Sequence, residues 1–167
     1  MNVFREERNP MVNDTINILV AGLGGQGIIR ASDIIADAAF RTGYDVKKSE
    51  IHGMSQRGGS VSSDVRFGSK VLSPMIPRGE AHFLVLCDLS QREVFWEYLR
   101  PEGKIISIEN LGDAKLPHPK TLNTALLGFL SKFLQIPTEK WREAIEHAFP
   151  VKLVEINLAA FDIGAKQ

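Results

Sequence analysis

Six residues, Gly22-Leu23-Gly24-Gly25-Gln26-Gly27, stand between an apolar run, Ile18-Leu19-Val20-Ala21, and a helical pattern that begins near Ile28. Glycines 22, 24 and 27 match G-x-G-x-x-G, the spacing of a strand-to-helix turn that can hold a phosphate. Without Cβ atoms the backbone turns sharply, and the unpaired first N–H groups of the helix point at any anion lying there. The same glycines would equally serve a turn that only lets strand and helix pack closely. A second group, Arg57-Gly58-Gly59, closes a polar, glycine-rich stretch that starts at Ser49. A guanidinium beside two glycines can form an anion-holding nest. The competing reading is a solvated arginine at the entry to a hairpin.

A dinucleotide site needs an acidic residue about 20 positions beyond the glycines, to bind the ribose hydroxyls. Lys47, Lys48 and Glu50 occupy that region. Glu50 could serve, and the lysines could hold a 2′-phosphate. The histidines, His52, His82, His118 and His147, show no metal-ligand spacing. His52 lies in the glycine-rich loop near Glu50, where a hydrogen-bonding or interface role is the default. Cys87 ends an apolar run and reads as an inert buried thiol. Asp88 follows at the carboxyl end of that run, where open α/β sheets bind ligands, and the N-cap of the next helix is the favoured role. No nucleophile stands beside a base, so the chain alone does not read as a complete enzyme.

Twenty basic and twenty acidic side chains cancel, which removes the electrostatic footprint expected of a protein that binds nucleic acid or an anionic membrane. A single cysteine excludes an internal disulfide and a cysteine-ligated cluster held by this chain alone, and fits a cytoplasmic setting. No apolar run approaches the roughly 20 residues needed to span a bilayer. Residues 1–14 are mixed in charge and are expected to form a poorly ordered lead-in to a single domain, 15–167.

The elements that would position these groups follow from periodicity. Residues 15–21 read as a buried central strand, and Ile28 to Arg41 as an amphipathic helix ending at Thr42-Gly43. Tyr44 to Lys48 is a second strand candidate, completing a right-handed βαβ unit. Val61, Ser63, Val65 and Phe67 alternate with Ser62, Asp64 and Arg66, which predicts a half-exposed strand, with Lys70 to Ser73 as its hairpin return. His82 to Cys87 predicts another buried strand, 89–99 a helix, Pro101-Glu102-Gly103 a turn and Lys104 to Ile108 a further strand. Leu122 to Leu134 is apolar on nearly all sides, so it is buried in its own core or against a partner. A second helix follows Pro137 with Thr138 as N-cap, and Val154, Leu158 and Phe161 favour a last helix. The fold expected is α/β, doubly wound and Rossmann-like, with a mostly parallel sheet flanked by helices and a C-terminal helical segment.

Taken together, the two glycine motifs resemble a known family. Gly22 to Ile28 is similar to the opening motif of the gamma-type domain of 2-oxoacid:ferredoxin oxidoreductases. The stretch Glu50-Ile51-His52-Gly53-Met54-Ser55-Gln56-Arg57-Gly58-Gly59-Ser60-Val61 resembles that family's second signature. Its form is similar to the small (beta) subunit of indolepyruvate:ferredoxin oxidoreductases. Pyruvate and 2-oxoglutarate relatives tend to carry Tyr-Gly-Pro-Glu before the arginine, which this chain does not. The resemblance continues through Gly79-Glu80-Ala81, Pro101-Glu102-Gly103 and Asn123, and covers about Ile16 to Gly164.

The resemblance implies a subunit that carries no cofactor of its own. Its large (alpha) partner would hold thiamine diphosphate, magnesium and iron–sulfur clusters, and the complex would be a heterotetramer. That assembly would decarboxylate indolepyruvate or other aryl 2-oxo acids oxidatively, form acyl-CoA and reduce ferredoxin. Gly22, Gly24, Gly25, Gln26, Gly27, Arg57, Gly58 and Gly59 would then face coenzyme A, another anion or the partner. Alternatives stay open. They are the gamma subunit of a pyruvate, 2-oxoglutarate or 2-ketoisovalerate ferredoxin oxidoreductase, a free-standing NAD(P)-binding Rossmann protein, and an adaptor that touches neither substrate nor cofactor. Partner contact would draw on the apolar helix from Leu122 and the loop around Met54.

Overall fold

The computed structural model describes residues 15–52 and 59–167, with the His52 side chain outside the description. The lead-in at 1–14, Met54, Arg57 and Gly58 therefore lie outside the described residues. Strand β1 (Ile16–Leu23) enters the glycine turn and is followed by helix α1 (Ile28–Thr42). The next strands are β2 (Asp45–His52), β3 (Ser60–Gly68) and β4 (Ala81–Leu86). Short helical turns over 89–98, among them α2 (Arg92–Phe95), lead into β5 (Leu99–Ile106). Helices α3 (Leu122–Ser131), α4 (Thr138–Ala148) and α5 (Val151–Ala165) complete the chain. Among the described residues, no helix is long and apolar enough to cross a membrane.

The five strands form one sheet in the order β2-β3-β1-β4-β5. Strands β1, β4 and β5 pair in parallel, and β3 pairs antiparallel with both β1 and β2. The α/β architecture with C-terminal helices is the one expected. The unanticipated feature is β3, which inserts between β1 and β2, so the hairpin is β2–β3 and residues 70–73 form no return strand. Polar contacts explain where 70–76 goes instead. Asp45 accepts the Val71 N–H at 2.8 Å, Asp64 accepts the Ile76 N–H at 2.9 Å, and Arg66 donates to the Ser73 and Met75 carbonyls. That segment covers β3, so Ser62 and Asp64 are buried rather than on an exposed face.

The larger core lies on the sheet face that α1 and the C-terminal helices cover. Ile28, Ala31, Ile34, Ile35, Ala38 and Ala39 of α1 pack on Ile18, Val20, Val65 and Val85. Leu126, Leu127 and Leu130 of α3 join this core with Trp141, Ile145 and Phe161. The apolar α3 is thus buried within its own chain and offers no broad face to a partner. Close approach of α3 and α5 depends on two glycines. A Cβ on Gly128 would lie 2.0 Å from the Phe161 carbonyl oxygen, and one on Gly164 would lie 1.8 Å from that of Ala125.

Several boundaries differ from expectation. Residues 89–98 form tight turns rather than one helix, because Asp88 caps the first of them and β5 begins at once at Leu99. Pro101-Glu102-Gly103 is not a turn before a strand but an irregularity within edge strand β5, where pairing jumps from Ala81↔Leu99 to Phe83↔Lys104. An edge strand tolerates proline and a bulge because one of its hydrogen-bonding sides is free. Pro137 is the N-cap of α4 and Thr138 its first residue, and α5 confirms the last predicted helix.

Candidate functional site

The glycine turn lies at the carboxyl end of β1, beside the carboxyl end of β4 and the first residues of antiparallel β3. Residues beyond the carboxyl ends of parallel strands are where α/β sheets place ligands. Gly27 is the N-cap of α1 with φ 75°, in the left-handed region that favours glycine, and no side chain caps the helix. The first N–H groups of α1 are therefore left to the cleft in front of them. Asn123 of α3 donates from Nδ2 to the Gly27 carbonyl at 3.2 Å, and a Cβ on Gly27 would lie 2.5 Å from that nitrogen.

Gln26 folds back over its own turn. Its Oε1 accepts the Leu23 N–H at 2.8 Å, and its Nε2 donates to Asp88 Oδ2 at 2.9 Å. Asp88 Oδ1 accepts from the Ser90 hydroxyl at 2.6 Å and the Ser90 N–H at 3.0 Å, the N-cap role expected of it. The Ser90 hydroxyl, then the Gln26 amide, then the Ser90 N–H hold the Asp88 carboxyl below its ordinary value. The polar chain continues through Gln91, whose Oε1 accepts from the Ser60 hydroxyl at 2.5 Å at the start of β3. Gly24 N–H also donates to the Gly59 carbonyl at 2.9 Å. Two segments that are 35 residues apart by number (59 − 24) are thereby joined: the glycine turn and the end of the Arg57-Gly58-Gly59 stretch.

A cleft of about 1130 Å³ opens in front of this turn. Leu23, Gly24, Gly25, Gln26 and Gly27 line it, together with Ile28, Ile29 and Arg30 from the start of α1. Gly22 lies beneath the turn, where an added Cβ would meet Ile28 and Gln26. His118 to Asn123 form a second wall, and Phe149, Leu153, Ile156 and Asn157 a third. The charged lining includes Arg30, with its guanidinium 4.9 Å from the Phe149 ring centre, and exposed Lys120. The cleft thus offers cations and free helix N–H groups to an anion, with the Asp33 carboxylate also in its lining, and the wall of Phe149, Leu153 and Ile156 to an apolar group. Behind it lies a buried polar set. Asn123 Oδ1 accepts the Thr124 N–H at 2.9 Å, Thr124 Oγ1 donates to Asn157 Oδ1 at 2.8 Å, and Asn157 Nδ2 donates to the Leu153 carbonyl at 2.9 Å. Full satisfaction of these groups holds the third wall in register with α3.

Sequence reasoning missed Arg30, Lys120, Asn157 and Phe149 as cleft residues. An asparagine within the apolar run of α5 was the available signal, since a polar side chain on a buried stripe needs a partner. The remaining candidates make local contacts, and His118 and Cys87 do so while lining the cleft. His82 Nδ1 accepts the Asn17 N–H at 3.1 Å, and His118 Nδ1 accepts the Lys120 N–H at 3.1 Å. His147 lies on the exposed side of α4. Cys87 is buried, and burial with the nearby Asp88 charge pushes its thiol up to about 12. Among the described residues, no group of three or more His, Cys, Asp or Glu could hold a metal ion.

The dinucleotide reading fits poorly. Glu50 and Lys48 pair at 2.5 Å and Lys48 also binds Asp33, and neither Glu50 nor Lys48 lines the cleft. With β3 interposed, β2 stands two strand spacings from β1, about 10 Å rather than about 5 Å. A ribose-binding carboxylate on β2 is correspondingly far from the turn.

Comparison with known proteins agrees with this picture. The family described as pyruvate ferredoxin/flavodoxin oxidoreductase matches residues 17–117 and 107–167. An indolepyruvate oxidoreductase subunit IorB from Thermococcus kodakarensis is 30% identical over 190 aligned positions, covering 90% of this chain and 94% of that subunit. Among solved structures, a keto/oxoacid ferredoxin oxidoreductase gamma subunit from Geobacter sulfurreducens has the same fold, with TM-score 0.74, 21% identity and coverage of 92% of this chain and 95% of that one. A 2-oxoglutarate:ferredoxin oxidoreductase from Magnetococcus marinus, solved with 2-oxoglutarate, coenzyme A and succinyl-CoA bound, aligns with TM-score 0.77 and 23% identity. There the match covers 92% of this chain but 31% of that longer one. With a family match over nearly all its length and an end-to-end relative, this chain belongs to the pyruvate ferredoxin/flavodoxin oxidoreductase family, as a gamma-type subunit similar to the small subunit of indolepyruvate oxidoreductases.

Proposed function

We propose that the chain is the small subunit of a complex that converts indolepyruvate or another aryl 2-oxo acid, with coenzyme A, to an acyl-CoA and carbon dioxide, passing two electrons to ferredoxin. The observation that carries this reading is the end-to-end match to an indolepyruvate oxidoreductase subunit, with the Gln26 turn and the Arg57-Gly58-Gly59 signature both present. Thiamine diphosphate and iron–sulfur clusters, held by the large subunit, supply the decarboxylation and electron-transfer chemistry. A single cysteine in this chain accords with that division.

The role of the chain's own residues is to bind and enclose. The uncapped start of α1, Arg30 and Lys120 are suited to the phosphates of coenzyme A, and the Phe149–Ile156 wall to its apolar portions. Gln26 and Asn123 hold the turn in the shape that aims those N–H groups outward. The Gly24 N–H bond to the Gly59 carbonyl ties the start of the β3 segment to the same turn.

Co-expression with the large subunit tests the assignment. The reading expects a brown complex that reduces a viologen dye with indolepyruvate and coenzyme A, faster than with pyruvate or 2-oxoglutarate. Preference for pyruvate or 2-oxoglutarate would transfer the chain to one of those enzymes. A colourless preparation without such activity would remove the reading.

A further inference from the structure

The sheet face opposite α1 carries a site that the cleft does not use. Asp64 of β3 is 3% exposed and lines a separate pocket of about 140 Å³. Leu19, Ile51, Ser60, Ser62, Phe95 and Tyr98 form the rest of its wall. Oδ2 of Asp64 accepts the Ile76 N–H at 2.9 Å, and among the described residues this is the one hydrogen-bond donor that reaches the carboxylate. Arg66 attracts it through space, but the Arg66 guanidinium is committed to Asn17, Ser73 and Met75. Burial raises the Asp64 pKa, and the Ile76 N–H and Arg66 oppose that shift without cancelling it. An ionised carboxylate accepts about four hydrogen bonds, and burying one with most of that capacity unused is costly.

The pocket has the size and chemistry of one long side chain. Its volume would hold about four or five waters at roughly 30 Å³ each. Apolar and aromatic walls with an acid at the base suit the methylene stem and charged head of a basic residue. The mouth includes Ile51, 44% exposed, and the same helical turns that supply Phe95 and Tyr98 also expose Trp96 at 60%. Apolar surface around a desolvated charge pair is the usual anatomy of an interface hot spot.

We propose that this socket receives a lysine or arginine side chain of the large partner subunit, with its stem against Leu19, Phe95 and Tyr98 and its head on Asp64. Negative charge at the base selects a basic occupant over an apolar one. The inference rests on the subunit reading above and names where on this chain the partner docks.

The test measures dissociation of the purified two-subunit complex on dilution, with this chain fluorescently labelled. Asp64→Asn keeps an acceptor for the Ile76 N–H and removes the charge. It should weaken the complex at least tenfold, by a factor that shrinks as salt rises, and leave melting of the isolated chain within a few degrees of wild type. Ile51→Lys, which sets a like charge at the mouth and leaves Asp64 in place, should also weaken it, and decides the matter if Asp64→Asn does not fold. Wild-type dissociation by both variants, or by Ile51→Lys alone in that second case, overturns the socket and leaves the subunit reading intact. Non-additive effects of Asp64→Asn and Arg57→Ala on melting of the isolated chain would assign the socket to the chain's own arginine and overturn it as well. A wild-type chain that does not bind the large subunit removes both readings.

Discussion

Gln26 and Asp88 are joined by a 2.9 Å hydrogen bond from Nε2 to Oδ2, while the other end of the same amide accepts the Leu23 N–H at 2.8 Å. One side chain thus ties the glycine turn to the end of the neighbouring parallel strand. Glutamate could not donate, and asparagine is one methylene shorter. Gln26→Leu removes both bonds, one of them to a charged group, and should lower stability by about 2–3 kcal/mol in urea denaturation. A loss under about 0.5 kcal/mol would show that solvent replaces both bonds freely.

The sign of the Asp88 contribution with pH follows from its depressed pKa. Its stabilisation is present above the unfolded value, 3.8, and is lost as pH falls through the lower folded value. Denaturation curves of wild type and Asp88→Asn should differ at pH 7 and converge below that value. A gap that widened on acidification would contradict the hydrogen-bond pattern.

Gly27 and Gly25 both have positive φ, 75° and 89°, but only Gly27 has a neighbour in the way of a Cβ. Gly25→Ala should cost about 1–2 kcal/mol from backbone strain alone. Gly27→Ala adds the clash with Asn123 Nδ2 and should cost more, with loss of the Asn123 bond to its carbonyl. Equal costs, measured by the same denaturation, would mean that Asn123 moves aside without penalty.

Close contact between α3 and α5 gives a harsher test. A Cβ on Gly164 would overlap the Ala125 carbonyl, a backbone atom that cannot rotate away. Gly164→Ala should therefore force the helices apart and cost about 3 kcal/mol or more. Near wild-type melting would contradict the packing.

The Cys87 thiol, buried and pushed up to about 12, should resist alkylation by iodoacetamide at pH 8 until the chain unfolds. Rapid labelling of folded protein, read by mass spectrometry, would show that the end of β4 opens to solvent.

The elements with strong periods were legible in the sequence: the β1–glycine turn–α1 unit, the Trp141 helix and the last helix. Local chemistry also placed the Asp88 cap. What was hidden depends on contacts between distant residues. The position of β3 between β1 and β2 is a choice of pairing that alternation alone does not encode, and burial of Ser62 and Asp64 follows from the 70–76 segment folding back over them. The second and third cleft walls come from Lys120 and from Phe149 onward, which α3 and α5 bring to the turn through the Gly128 and Gly164 contact. Neither glycine has a local signature, because each is needed for what a remote helix does. Gln26 was singled out, but its link to Asp88 spans 62 residues and required the β1–β4 pairing.

Reconstitution tests the central claim most directly. Purified large subunit would be titrated with this chain while indolepyruvate- and coenzyme A-dependent viologen reduction is followed. The account predicts activity that rises with added chain and saturates at a fixed stoichiometric ratio. Full activity of the large subunit without the chain, unchanged by its addition, would contradict it.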